Sequence, residues 1–275
     1  MSQTKTRTRN YGLDQQPGGY FADSLVALKT IAWKETYRYL RIWVQTLLPP
    51  AITMTLYFVI FGNLIGPRVG PMEGYTYMEF IVPGIIMMAV ITNSYSNVVS
   101  SFFGAKFQRH IEEILVSPTP NYVLLVGYLA GGVGRGLLTG FIVTLIATAF
   151  TDLHIYNIPI TISVVFLTSV LFSLGGFING IFARKFDDIA IVPTFILTPL
   201  TYLGGVFYSI SLLPDGWREV SMANPILYMV NAFRYGILGA SDIPIGTAYA
   251  LILVFIALAS AFCLFLLNRG VGLRQ

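Results

Sequence analysis

The sequence predicts an all-α integral membrane protein with six transmembrane helices, an N-terminal amphipathic interface helix and an outer re-entrant helical hairpin. Three observations carry this reading. Hydrophobic residues make up 55% of the 275-residue chain and charged residues only 11%, against about 25% charged in a soluble domain. The mean hydropathy is +0.70, and apolar runs of about 20 residues, the length that crosses a bilayer, recur along the chain. Residues 189–238 are too apolar for a solvated loop and too interrupted for one helix, because Pro193, Pro199, Gly204, Gly205, Pro214 and Pro225 break them. Broken backbone at membrane depth survives only where protein or a cavity shields it, and segments that stop and re-enter mark transport paths.

The chain divides into a polar tail, residues 1–22, expected to be disordered and cytoplasmic, and one transmembrane domain, residues 23–275. Asp23 and Ser24 are placed to cap a helix over residues 23–41. Its spacing puts Lys34, Arg38 and Arg41 on one face, with Leu25, Leu28, Ala32 and Tyr39 roughly opposite. Trp33 and Tyr37 suit headgroup depth, and Glu35 pairs with Arg38 at i+3. Such a helix lies in the cytoplasmic interface, either as a plain membrane anchor or as a docking surface for a partner.

The first span covers residues 42–64, with Pro49 and Pro50 expected to kink it or offset its start. The second, residues 80–104, has Pro83-Gly84 near its beginning and a polar stretch of Asn93, Ser94, Ser96, Asn97, Ser100 and Ser101. Residues 106–117 form a charged segment in which Phe103, Phe107, Ile111, Ile114 and Leu115 share a helical face, leaving Arg109, Glu112 and Glu113 on the others. That pattern fits an ordinary solvated loop helix or a lever moved by a cytoplasmic partner. The third span, residues 121–150, repeats glycine at 127, 131, 132, 134, 136 and 140, spacings that let helices approach closely in lipid. The fourth runs over 158–183, the fifth over 189–208 and the sixth over 247–267, with residues 209–238 as the re-entrant region.

Charge sets the orientation. With both termini inside, the cytoplasmic segments gather Lys5, Arg7, Arg9, Lys29, Lys34, Arg38, Arg41, Lys106, Arg109, Arg184, Lys185, Arg269 and Arg274, while the outer side holds Arg68, Arg218 and Arg234. Arg135 is expected to snorkel to the cytoplasmic interface. Arg234, costly if deep, is expected to face water, a carboxylate or a lipid headgroup.

Several classes of function are disfavoured. The net charge of +4 is spread as positive-inside residues, so no nucleic-acid partner is expected. A lone Cys263 permits no intrachain disulfide, and His110 and His154 stand apart from other metal ligands. The phosphate-binding loop of nucleotide hydrolases does not occur, so any ATP–Mg would sit on another polypeptide and no cofactor is expected in this chain. The first four runs hold no interior Asp or Glu, which argues against a proton or sodium relay. The residues point to a membrane transporter whose ATPase, if it is ATP-driven, is a separate polypeptide. A channel-like or proton-gradient-driven transporter without an ATPase partner is the alternative, and a lipid-modifying membrane enzyme ranks last.

Beyond these readings, the ordered set Arg41-Ile-Trp-Val-Gln-Thr46, Phe61-Gly-Asn-Leu-Ile-Gly66, Phe80-Ile-Val-Pro-Gly84, Gly204-Gly205-Val-Phe-Tyr208, Leu213-Pro214, Asn224-Pro225 and Phe233-Arg234-Tyr235-Gly236 resembles the membrane subunit of bacterial ABC-2 type exporters. The resemblance covers nearly everything from Ser24 to Arg274. It implies a half-transporter in the inner membrane that pairs with a second copy as a homodimer and docks on a separate ABC ATP-binding subunit. It makes Trp33, Lys34, Glu35, Arg38 and Arg41 part of the interface helix. It makes Phe107, Arg109, Glu112 and Glu113 the coupling helix, with Arg184 and Asp187 as a secondary contact. Gly204, Gly205, Tyr208, Asn224, Pro225 and Arg234 become candidates for the re-entrant substrate path. The implied cargo is an amphipathic or lipid/glycan-type substrate moved outward.

Overall fold

The computed structural model describes residues 19–111, 113 and 119–272, and these residues are helices and their connections. In chain order the helices are α1 (Gly19–Arg41), α2 (Trp43–Val69), α3 (Tyr77–Phe107), α4 (Asn121–Ala147), α5 (Ile158–Phe182), α6 (Asp188–Tyr202), α7 (Asp215–Met222), α8 (Pro225–Leu238) and α9 (Ile245–Arg269). Among the described residues, five helices are long and apolar enough to cross a membrane: α2, α3, α4, α5 and α9.

Local chemistry sets most of the boundaries. Helix α1 is described from Gly19, so Asp23 lies inside it and caps nothing, and residues 1–18 of the expected tail lie outside the described residues. Its packed face is also offset from the expected one. Ile31 and Glu35 press on Gly127 and Gly131 of α4 and Tyr39 is buried, while Leu25 is exposed. Helix α2 is offset at Leu47, and Pro49 and Pro50 occupy the first turn of Leu48–Tyr57, where a missing N–H costs little. It then widens into a π-helical stretch, Phe58–Ile65.

Helix α3 opens on a capping box, with the Glu79 N–H donating to Thr76 Oγ1 (3.3 Å) and the Thr76 N–H to Glu79 Oε2 (2.8 Å). It continues unbroken through Pro83 for 31 residues, about 46 Å at 1.5 Å per residue. Most of its residues are buried, and α2, α4, α5, α6 and α8 pack against it. The α4 glycines work as their spacing suggests: Gly127 and Gly131 seat α1, while Gly132 and Gly136 seat Ser173, Ser94 and Ser169 of α5 and α3.

The expected fifth span is shorter than its apolar run. Helix α6 ends at Tyr202 rather than 208 and holds 15 residues, about 22 Å, against a hydrocarbon core of about 30 Å. Pro193 and Pro199 fall within it, and Pro193–Leu197 is π-helical. After Tyr202 the chain turns through Gly205 (φ +71°) and a short 3-10 turn, Ile210–Leu212, before α7 and α8. Asn224 caps α8, accepting from the Ile226 N–H at 3.0 Å, and Gly239 (φ +77°) ends it.

Candidate functional site

A single device recurs where helices stop in this fold: a side-chain donor satisfies backbone carbonyls that have lost their helical partner. The turn after α6 shows it most fully. Between α6 and α8 the backbone leaves the helix yet stays buried at Gly204, Gly205 and Val206. Arg234 of α8, fully buried, donates through Nη2 to the Gly205 carbonyl (2.6 Å) and through Nε to the Phe80 carbonyl (3.4 Å). Its guanidinium lies 3.9 Å from the centre of the Phe80 ring. Tyr77 donates to the Phe207 carbonyl (3.2 Å) and Asn224 Nδ2 to the Leu200 carbonyl (2.5 Å). The Phe80 carbonyl has a second lone pair for this donor, while Pro83, which lacks an N–H, leaves the Glu79 carbonyl without its helical partner. Gly84 is required for the fit, since a Cβ at this position would sit 2.5 Å from the Val206 carbonyl oxygen.

Arg234 therefore faces carbonyls and a ring in direct contact. The nearest carboxylates, Glu73 and Asp242, act on it electrostatically from the outer loops. Those two converge on one hydroxyl, Ser209 Oγ, at 2.6 Å from Glu73 Oε1 and 2.8 Å from Asp242 Oδ1. Burial and the hydrogen bond to Asp242 push the Glu73 carboxyl above the ordinary carboxylate value, with Ser209 opposing them. Three loops, α2–α3, α6–α7 and α8–α9, are tied here.

The other end of α3 repeats the device. Lys106, expected in the solvated coupling segment, is instead buried in the last turn of α3 and donates through Nζ to the Ile181 (2.5 Å) and Ala183 (2.8 Å) carbonyls at the end of α5. A cation at a helix C-terminus is electrostatically favoured. Arg135, expected to snorkel, instead donates through Nη2 to the Thr46 carbonyl (3.0 Å), just before the α2 offset, and to Asn93 Oδ1 (2.9 Å). Two acceptors within reach hold it better than a headgroup further away. On α1, Arg38 pairs with the buried Glu35 at 3.3 Å, as its spacing suggests. Its Nη2 also reaches the Asn97 carbonyl (3.0 Å) and Asn97 Oδ1 (2.9 Å) on α3.

The other expected site residues fall into two groups. Phe107 packs in an aromatic trio with Phe103 (6.0 Å) and Phe186 (4.9 Å), which brings the end of α3 against the 184–188 loop. Arg109 is exposed with φ +62° and breaks the helix. Arg184, Asp187 and Glu113 are exposed. Glu112 and residues 114–117 lie outside the described residues. Trp33, Lys34 and Arg41 are exposed on α1. Tyr208 is half-buried beside the outer turn, and Pro225 opens α8. A shallow groove between α3 and α6 is lined by Met88, Thr92, Ser96, Pro193, Leu197 and Thr201. Sequence reasoning missed Lys106 as an anchor, although its apolar neighbours Ala105 and Phe107 at the end of an apolar run were the available signal. It also missed the Glu73–Ser209–Asp242 convergence, for which no local signal exists.

Apolar spans and shielded broken backbone define a multi-pass membrane transport protein. Comparison with known proteins gives the family. Residues 26–238 match the ABC-2 type transporter family. Over 250 residues the chain is 58% identical to the inner membrane transport permease YadH of Escherichia coli (strain K12), covering 91% of this chain and 98% of that protein. The same figures hold for its namesake in Shigella flexneri. Nodulation protein J of Rhizobium leguminosarum bv. viciae is 22% identical over 185 residues, 67% of this chain and 71% of that protein. This chain belongs to the ABC-2 type transporter family and is the membrane subunit of an ABC transporter. Membership selects the ABC reading over the channel-like and gradient-driven alternatives.

Proposed function

We propose that the chain is one half of an inner-membrane exporter, working as a homodimer on two copies of a separate ABC subunit that binds ATP–Mg and hydrolyses ATP. In this reading there are six spans, with α6 completing the fifth through its buried turn. Both termini are cytoplasmic, and α7 and α8 form the outer re-entrant hairpin. The observation that carries it is the reach of α3. One unbroken helix bears Lys106 at its inner end, Asn97 bonded to the α1 arginine in its middle, and Phe80 under Arg234 at its outer end.

The work is mechanical. ATP-driven closure of the partner pushes α1, residues 106–117 and the 184–188 turn. The Phe103–Phe107–Phe186 cluster passes that push to α3. Because a packed helix moves as a rod, the displacement reaches the outer knot and the groove between α3 and α6. The groove walls mix methyl, hydroxyl and thioether groups, with no charge. Such a lining suits an amphipathic or lipid/glycan-type substrate and would leave an unshielded ion uncompensated.

Co-purification in mild detergent, with ATPase assay, tests this reading. A nucleotide-binding subunit near one-to-one with vanadate-sensitive turnover is expected; a preparation that brings down no such subunit after crosslinking would sink it. Glu113→Arg, at an exposed position, should leave the fold and the bound partner unchanged while ATP turnover no longer drives transport. Coupled transport at the wild-type level in this variant and in Glu112→Arg would remove residues 106–117 from the coupling role.

A further inference from the structure

Where α1 turns into α2, the chain forms an open groove of about 490 Å3 lined by Trp33, Lys34, Tyr37, Arg38, Arg41 and Ile42. The bend is made by Ile42, whose backbone (φ −111°, ψ 37°) leaves the helix between Arg41 and Trp43. The groove is aromatic and basic at once: Trp33 is 70% exposed and Tyr37 57%. The inward-facing charges cancel one another, since Arg38 is committed to Glu35 and Asn97 and Glu35 is buried. Lys34 and Arg41 are exposed and have no hydrogen bond or ion pair among the described residues. Two unpaired cations beside two exposed aromatic rings make a site short of one anion.

The first span supplies the second half of a ligand. Beginning two residues past the groove, Val44, Leu48, Ile52, Leu56, Ile60 and Leu64 are all exposed, one apolar side chain every four residues along α2. A charged pocket at the head of a long apolar track matches an anionic phospholipid, phosphate at the bend and acyl chain along the helix. We infer that the α1–α2 bend is a binding site for one anionic phospholipid of the cytoplasmic leaflet, its phosphate held by Lys34 and Arg41 between the Trp33 and Tyr37 rings. Aromatic rings at headgroup depth fix the position, and each cation near an anionic lipid adds roughly fivefold to binding. The inference rests on α1 lying at the cytoplasmic membrane surface and not on its docking an ATPase.

The test is native mass spectrometry of the full-length chain in mild detergent, titrated with phosphatidylglycerol or phosphatidylcholine. One tightly retained phosphatidylglycerol per chain is expected, with weaker retention of phosphatidylcholine. Lys34→Gln with Arg41→Gln should weaken phosphatidylglycerol retention by about 25-fold, while Lys29→Gln, an exposed cation of α1 outside the groove, should leave it unchanged. The unfolding temperature checks that the double variant is folded, and Trp33→Ser provides a second, uncharged route to the same loss. Equal retention in wild type and double variant, or an equal loss in Lys29→Gln, would overturn the site in favour of diffuse attraction. Displacement by millimolar inorganic phosphate would overturn the lipid as occupant. Because the readout is lipid on this chain, failure here is distinct from failure of partner docking, which co-purification reports.

Discussion

Helices α3 and α6 both contain proline and both belong to the apolar interior of the sequence, yet they end as opposites. In α3, Pro83 sits inside 31 continuous helical residues, and its neighbours close around it. In α6, Pro193 and Pro199 divide 15 residues into α, π and α turns, and one side stays open, with Phe195 73% exposed. Proline removes one N–H in either place. The difference lies in what surrounds it. Around Pro83, Gly84 admits the Val206 backbone, and the Phe80 carbonyl receives Arg234. Around Pro193, neighbours cover one side only, so the helix is short and widened. A helix kept straight by its neighbours transmits force; one left half-covered can bend or receive a second copy of the chain.

The contrast breaks most readily at Gly84. Gly84→Val places a methyl group against main chain that cannot rotate away, at a cost of about 3 kcal/mol or more. Loss of the monodisperse peak on size exclusion is expected, and a variant with wild-type behaviour would show that α3 is not locked to the outer turn. Arg234→Met keeps most of the volume but strands the buried Gly205 carbonyl, at about 2 kcal/mol, read as a lower unfolding temperature. On α6, Phe195→Ser should change protomer stability by less than about 0.5 kcal/mol while weakening self-association measured by light scattering. If it destabilised the protomer as much as Gly84→Val, the two helices would not differ as argued.

The smallest effect is expected at the loop junction above them. In the folded protein burial and the hydrogen bond to Asp242 raise the Glu73 carboxyl above its ordinary value of 4.5. The folded state therefore holds that proton more tightly than the unfolded chain. The stability it contributes is complete below pH 4.5 and is lost as pH rises through the raised value. Glu73→Gln fixes the neutral form and should flatten this part of the unfolding temperature against pH; an unchanged slope would detach Glu73 from the junction.

Span placement was legible because each run has the length and hydropathy a bilayer demands, and four runs match helices within a few residues. The third was read three residues too long, to Phe150, because hydropathy continues past the turn at Thr148 that ends α4. The shielding of broken backbone was legible as a physical necessity at residues 189–238. The shielding groups were not, because Tyr77, Asn224 and Arg234 act across long separations in the chain. Arg135 and Lys106 were misplaced for the same reason: their composition suggests water, but nearby carbonyls lie within reach and only the packed structure shows them. Asp23 misled because a capping residue is also an acceptable helix residue when the preceding chain continues the helix.

Lys106 ties α3 to α5 through two carbonyls, and the carbonyls belong to the residues that lead into the 184–188 turn. Any tilt of α3 at its inner end must then drag α5 with it, and the shared pair behaves as a stator. The remaining freedom falls to α6, which starts only a few residues later, at Asp188. Acetylation of that one lysine would cut the tether without touching the bilayer-facing surface, turning a fixed frame into two independent struts.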